Sequence, residues 1–437
     1  MDRPFLCLEG FVQFPSCGVV ACWLKIPFTQ KQAFPLNGLT AYYRRPGNQE
    51  PPMATRFRNV DTALIHAGEF ESRVEGAVIL PIFQSSTFEY TGQTSYADLR
   101  YIRLNNTPNH QVLHEKLACL EGAEAALVTG SGMAAISATM LAVLSSGDHL
   151  LAQNTLYGGT YDFLTQDFRS LGLEFGLIDA TSPKTWSTHL TPQTKAIYVE
   201  SVSNPLMQVA DLNAVVAFAR QHNLVSIIDN TFLTPLFYRP LEEGFDLVIH
   251  SATKYLNGHS DLVAGAVAGP SRWIQQINGR LMHLGGSLDP HACFLMHRGL
   301  KTLALRVRQQ HATALAISDF LDRHPEVCRV YYPGLSTDKY HRRATELFDG
   351  FGGMLSFELK GGEEQARRAL KRLKLAADAP SLGGVESLAT RPVTTSHSGL
   401  SREAQQQQGI TDGLIRFSVG IEAAEDLIDD LKQAIEG

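Results

Sequence analysis

The chain has 437 residues, 44% of them apolar and 19% charged, with a formal net charge of -6 at pH 7. That length accommodates two or three domains around a large core, and a mildly acidic balance with no long basic run argues against nucleic acid or an anionic membrane as the main partner. From the start of the regular pattern onward no stretch approaches the apolar length of a membrane span, and six cysteines without Cys-x-x-Cys spacing favour a reducing cytoplasm over a zinc or disulfide framework.

Residues 1–56 read as an irregular N-terminal extension. They hold Cys7, Cys17 and Cys22, with prolines at 4, 15, 27, 35 and 46 and no sustained period. The apolar stretch 18–26 is interrupted by Lys25 and preceded by Glu9 rather than by a basic run, which fits a secretory signal poorly. Met53 follows Pro51-Pro52 just before regular alternation begins, so it is an alternative start for the natural chain.

From residue 125 short apolar runs alternate with helical stretches, the pattern of βαβ units. The runs at 125–128, 149–152, 175–178, 196–199, 225–228, 247–249 and 263–267 predict a largely parallel seven-stranded sheet. A long helical pattern over 300–321 then leads to strands at 329–332, 354–359 and 414–419, where strand and helix no longer alternate strictly. That region reads as a smaller C-terminal α+β domain, so the fold class is α/β.

Two segments carry the chemistry. Apolar 225–228 runs into Asp229-Asn230-Thr231, and apolar 247–249 runs into His250-Ser251-Ala252-Thr253-Lys254-Tyr255. Both groups then sit where strands end, the place at which α/β sheets bind ligands. Lysines near serines are common on solvated loops, and an aspartate after an apolar strand is often a helix N-cap. Together, however, they offer an amine for a Schiff base, hydroxyls for a phosphate and an acid for a pyridine nitrogen. The cofactor that needs all three is pyridoxal 5′-phosphate.

The competing motif is Gly130-Ser131-Gly132-Met133-Ala134-Ala135, a Gly-x-Gly-x-x-Ala fingerprint that would make the chain a dinucleotide-dependent dehydrogenase. The acid that should bind the ribose ends the second strand in that fold, whereas Asp148 precedes the run 149–152. Small residues opening a helix offer amides to any phosphate, pyridoxal phosphate included. His110 and His114 are one helical turn apart, but Gln111 stands where a metalloprotease motif has glutamate, and surface or interface histidines are expected. No Gly-x-Ser-x-Gly elbow is present.

Six ordered motifs, Leu156-Tyr157-Gly158-Gly159-Thr160, Ser203-Asn204-Pro205, Asp229-Asn230-Thr231, His250 to Tyr255, Ser381 to Ser387 and Arg416 to Glu422, resemble the Cys/Met-metabolism (trans-sulfuration) family of pyridoxal-phosphate enzymes. The resemblance covers roughly 57–437. It implies fold type I, the aspartate-aminotransferase-like architecture, with an N-terminal arm at 57–110, a cofactor domain at 111–300 and a C-terminal domain at 301–437. Lys254 would carry the cofactor and move protons, Asp229 would pair with the pyridine nitrogen and Tyr157 would stack on the ring. The amides of Gly132 and Met133, with the hydroxyls of Ser251 and Thr253, would hold the phosphate. Arg416, aided by Ser381 and Asn204, would bind the substrate carboxylate. Arg391, before Pro392, is the rival clamp, although it does not match the family's carboxylate residue.

Tyr101 and Arg103 resemble family residues that reach the phosphate in a neighbouring subunit, which implies a homodimer or homotetramer with shared active sites. The family generally continues Gly-Asn-Pro-Thr, whereas this chain reads Asn105-Asn106-Thr107-Pro108, and loss of the glycine narrows the allowed backbone. The expected substrates are small amino acids. Gly159 stands where methionine γ-lyases carry cysteine. Pro380, the run Leu288 to Cys293 and the run Arg306 to Gln310 resemble γ-synthases. The expectation is γ-replacement or γ-elimination on cystathionine or O-acylhomoserine, of the cystathionine γ-synthase or γ-lyase type. An O-acylhomoserine sulfhydrylase, a cystathionine β-lyase and a non-catalytic protein of the same fold are the alternatives.

Overall fold

The computed structural model describes residues 57–437, so the expectations for 1–56, Met53 included, lie outside the described residues. Seven strands form the larger sheet: β1 (Ala125–Thr129), β2 (His149–Gln153), β3 (Glu174–Ile178), β4 (Thr194–Glu200), β5 (Val225–Asp229), β6 (Leu247–His250) and β7 (Gly265–Gly269). Their order is β1-β7-β6-β5-β4-β2-β3. Only β7 runs antiparallel to its neighbours, so the expected mostly parallel seven-stranded sheet is present. Strands β2 and β6 are buried along their whole length, which is why they read as continuous apolar runs rather than as alternation.

The sheet is clothed on both faces, by clusters that include Val128, Ile197 and Val248 on one side and Leu127, Tyr198 and Ile249 on the other. Helices begin where the sequence provides caps. Ser131 accepts a 3.0 Å hydrogen bond from the Ala134 amide to open the helix Gly132–Val143, and Asp211 does the same for Leu212–His222 through Ala214. One expected strand is displaced: β7 starts at Gly265 rather than at 263, because Val263 is 59% exposed.

The second, smaller sheet comprises β8 (Val327–Tyr331), β9 (Met354–Leu359), β10 (Ala377–Asp378), β11 (Leu388–Thr390) and β12 (Leu414–Ser418), ordered β10-β11-β12-β9-β8. The pieces β10 and β11 have two and three residues, too short for any period to register. The helical pattern expected over 300–321 is present as the helix Leu303–Arg323, preceded by a separate helix, Pro290–Leu300. Buried Arg306 holds their junction by donating to the Gly299 carbonyl at 2.8 Å and to Thr302 Oγ1 at 3.1 Å. Central strand β12 lies fully buried, and Ser356 on neighbouring β9 donates to the Pro205 carbonyl at 2.7 Å, tying this sheet to the loop after β4.

Candidate active site

The carboxyl ends of β4, β5 and β6 converge. Asp229, the last residue of β5, accepts through Oδ1 from the Thr231 amide at 2.9 Å and the Thr231 hydroxyl at 2.5 Å. Thr231 Oγ1 accepts in turn from the Ser251 amide at 2.8 Å, which stitches the loop after β5 to the loop after β6. Burial pushes the Asp229 carboxyl above its ordinary range, against the pull of the Thr231 donors and of nearby His250. His250 itself is buried against Glu121, with Nε2 and Oε1 2.5 Å apart.

Lys254 follows in the same loop. Its Nζ donates a 2.9 Å hydrogen bond to Ser381 Oγ, and burial, assisted by the charge of Arg416, lowers the amine to about 8. Arg416 is the third residue of β12 and 3% exposed. Its two terminal nitrogens donate to the Ser381 carbonyl at 2.9 Å and to Asn204 Oδ1 at 3.2 Å. Burial pulls even this guanidinium down to about 10. Gly383 holds the Ser381 loop in place: it sits at φ +76, its amide donates to Ser418 Oγ at 2.9 Å, and a Cβ there would lie 2.8 Å from the Tyr255 amide nitrogen. The close approach of that loop to Lys254 therefore requires glycine.

On the other side of the loop, Gly132 and Met133 open their helix, so their amides have no carbonyl partner within it. A Cβ on Gly132 would lie 2.8 Å from Ser251 Oγ. The Thr253 hydroxyl is engaged locally, donating to the Ala264 carbonyl at 3.1 Å and accepting from the Ala264 amide at 3.0 Å. Tyr157 is 43% exposed, an open aromatic face rather than a core residue. Its ring edge lies against Gly159, where a Cβ would stand 2.7 Å from Tyr157 Cε1 and 3.3 Å from Met133 Sδ. An amine of lowered proton affinity, a carboxyl at a strand end, amides at a helix mouth and an open aromatic face are the donor set that pyridoxal 5′-phosphate requires.

Lys254, Ser381, Arg416 and Asn204 thus form one hydrogen-bonded group, Asp229 and Ser251 a second, and Gly132, Met133 and Tyr157 adjoin them. Tyr101 and Arg103 do not join either group within the chain. Arg103 bonds to the Tyr96 hydroxyl at 2.5 Å and the Met282 carbonyl at 3.2 Å, and its guanidinium lies 5.7 Å from the centre of the Tyr101 ring. The loop that follows keeps a left-handed residue without glycine: Asn105 adopts φ +57 and donates through Nδ2 to the Val128 carbonyl at 2.7 Å. Asparagine tolerates that region because its short amide bonds locally.

Arg391 is bound to Glu363 at 2.9 Å and to the Asp412 carbonyl at 2.9 Å, which occupies it elsewhere. His110, expected at a surface or interface, is buried in the chain between Thr107 Oγ1 at 2.8 Å and the Leu288 carbonyl at 2.7 Å. Among the described residues no group of histidines, cysteines and acids could hold a metal. Two residues of the site went unnoticed in the sequence. Glu200, at the end of β4, accepts from the Tyr157 amide at 2.6 Å. It could have been found by the signal that marked Asp229, an acid ending an apolar run. His397 lies buried near Arg416 in an irregular loop, where burial and then the Arg416 charge lower it to about 4. Ser396 beside it closes so tightly on Gly158 that a Cβ there would come within 2.1 Å of the Ser396 carbonyl oxygen.

Residues 61–436 match the family described as Cys/Met metabolism PLP-dependent enzyme. A cystathionine γ-lyase from Bacillus subtilis (strain 168) is 42% identical over 86% of this chain and 98% of its own length. A cystathionine β-lyase from Lactococcus lactis subsp. cremoris (strain MG1363) is 40% identical over 86% of this chain and 99% of its own. The crystal structure of cystathionine γ-synthase from Xanthomonas oryzae pv. oryzae, in complex with aminoacrylate and cysteine, superposes with a TM-score of 0.83 at 39% identity, covering 86% of this chain and 97% of that one.

Proposed function

Because the chain belongs to the Cys/Met-metabolism family of pyridoxal-phosphate-dependent enzymes, which act on small amino acids, we propose that it catalyses γ-replacement or γ-elimination on cystathionine or an O-acylhomoserine. The observation that carries this reading is the linkage of Lys254 through Ser381 to Arg416 and Asn204. It sets an amine next to a guanidinium able to grip an α-carboxylate. When bound, the cofactor supplies an electron sink that acidifies the substrate carbons next to the amino group.

The chain's own groups then divide the work. Lys254 holds the cofactor through Nζ and, once free, moves protons at that nitrogen; its lowered proton affinity keeps a large fraction neutral near pH 8. Asp229 would pair with the pyridine nitrogen, Tyr157 would stack on the ring, and the Gly132 and Met133 amides with the Ser251 hydroxyl would hold the phosphate. Thr253, whose hydroxyl bonds to Ala264 here, would be a further phosphate partner. Arg416 orients the substrate, with Asn204 and Ser381 holding the guanidinium in place. The γ-preference is supported by Pro380 and the runs Leu288 to Cys293 and Arg306 to Gln310, while Gly159, where the Tyr157 ring leaves no space for a side chain without moving, counts against a methionine γ-lyase.

Tyr101 and Arg103 complete the phosphate site of a second copy in a homodimer or homotetramer. Support comes from their separation from the other site residues within one chain and from the exposed Val78, Ile79, Tyr90 and Tyr96 of the same arm. In this reading 57–110 is the arm, 111–300 the cofactor domain and 301–437 the C-terminal domain. Among the described residues no helix is long and apolar enough to cross a membrane. Among the described residues Cys293 and Cys328 form no disulfide, in keeping with the reducing, cytoplasmic setting proposed here.

Product identification tests the reaction. With cystathionine, γ-elimination releases cysteine, 2-oxobutyrate and ammonia; with O-acylhomoserine and cysteine, γ-replacement forms the Cγ–S bond of cystathionine and releases the carboxylate. Homocysteine and pyruvate from cystathionine would make the enzyme a β-lyase. Turnover of O-acylhomoserine with sulfide but not cysteine would make it a sulfhydrylase.

A further inference from the structure

Glu200 ends β4 with 6% of its surface exposed, in register with Asp229 on parallel β5. Registered residues on adjacent parallel strands lie about 4.8 Å apart and project to the same face. The two carboxyls are therefore neighbours beneath the site. Two carboxylates so placed do not both ionise readily, and their surroundings separate them. Burial raises both carboxyls, but Asp229, less covered at the strand end, takes two short hydrogen bonds from Thr231 that pull it back down. Glu200 is the more deeply enclosed, with burial first and the charge of Asp229 second pushing it well above the carboxylate range. Its Oε1 accepts the 2.6 Å bond from the Tyr157 amide, and its own amide donates to Gln153 Oε1 at 2.8 Å.

We propose that Glu200 is a positioning residue which, as a neutral carboxyl, pins the backbone of Tyr157 and leaves Asp229 as the charged group of the pair. This rests on the roles proposed above for Asp229 and Tyr157. Its consequence is that the ring-stacking tyrosine and the acid under the ring are set by one side chain on β4. An amide at position 200 serves as well as the acid, since glutamine is uncharged, has nearly the same shape and retains a carbonyl acceptor. A side chain of similar size without an acceptor does not.

The test compares E200Q and E200M with wild type in the full-length protein. Hydrogen exchange of the peptide spanning 155–160 is followed by mass spectrometry with and without pyridoxal phosphate, and cofactor affinity is measured by fluorescence titration. E200Q is expected to match wild-type exchange and to bind the cofactor within about threefold. E200M is expected to exchange about tenfold faster in that peptide and to bind about tenfold more weakly, the size of effect that loss of one buried hydrogen bond produces. E200M indistinguishable from wild type overturns the proposal, and so does E200Q as impaired as E200M, because an ionised carboxylate would then be needed. Should E200M not fold, E200Q decides alone: wild-type exchange and affinity sustain the proposal, and a tenfold loss in both overturns it. A wild-type protein that fails to bind pyridoxal phosphate would instead overturn the roles given to Asp229 and Tyr157, while the exchange measurement still reads the contact between Glu200 and Tyr157.

Discussion

Lys254 Nζ and Ser381 Oγ meet at 2.9 Å although 127 residues separate them in the chain. Ser381 serves two partners, its hydroxyl taking the lysine and its carbonyl taking Arg416. S381A removes only the first. It is expected to lower kcat about tenfold while KM stays within about threefold, since one hydrogen bond to a charged group is lost and the carboxylate clamp persists. Steady-state kinetics with cystathionine checks this split, and a rise in KM alone would contradict it.

Arg416 and Arg391 should respond oppositely to loss of charge. R416Q removes the fork that grips the carboxylate, so KM is expected to rise about a hundredfold. R391Q breaks bonds to Glu363 and the Asp412 carbonyl. It is expected to reduce stability by roughly 1–2 kcal/mol in urea unfolding and to leave KM nearly unchanged. The reverse pattern would exchange the roles of the two arginines.

The lowered proton affinity of Lys254 has a defined pH signature. Its amine becomes neutral as pH rises through about 8, so cofactor uptake by protein stripped of pyridoxal phosphate should accelerate up to that pH and then level. Burial is the larger cause and the Arg416 charge the smaller, so R416Q should move the midpoint upward without restoring 10.5. Stopped-flow absorbance across pH 6 to 10 reads the shift, and a midpoint that moves down would refute this account. Between about 8 and the ordinary value of 10.5 the unfolded chain holds a proton that the folded one has released. The lysine's penalty on folding therefore shrinks as pH rises through that window.

Asn105 combines a left-handed backbone with a bond to the Val128 carbonyl. N105A loses both and is expected to cost roughly 2–3 kcal/mol, whereas N105G keeps the backbone freedom and is expected to cost about 1 kcal/mol. Urea unfolding of the two variants distinguishes them; equal losses would show that the side-chain bond alone matters.

Much of the fold is legible in the chain because its information is local. Buried parallel strands need apolar residues on both faces, so β2, β5 and β6 stand out as runs wherever they fall. Strand β7 was misplaced by two residues because Val263 is as apolar as the strand that follows it, and only packing exposes it. Lys254 and Asp229 were legible because their hydroxyl and acidic neighbours lie beside them in the chain. Glu200 carried the same local mark as Asp229, an acid after an apolar run, but its meaning depends on register with β5 and on reach to Tyr157.

By itself the sequence determined the seven apolar runs that become the larger sheet and which reactive groups the chain possesses, because these follow from residue chemistry and short-range sterics. The tertiary structure alone decided that β12 brings Arg416 to Asn204 and Ser381, that Arg391 is spent on Glu363, and that burial weakens the hold of Lys254 on its proton. Each of these depends on groups brought together across large sequence separations and on the water excluded around them, neither of which a linear pattern encodes.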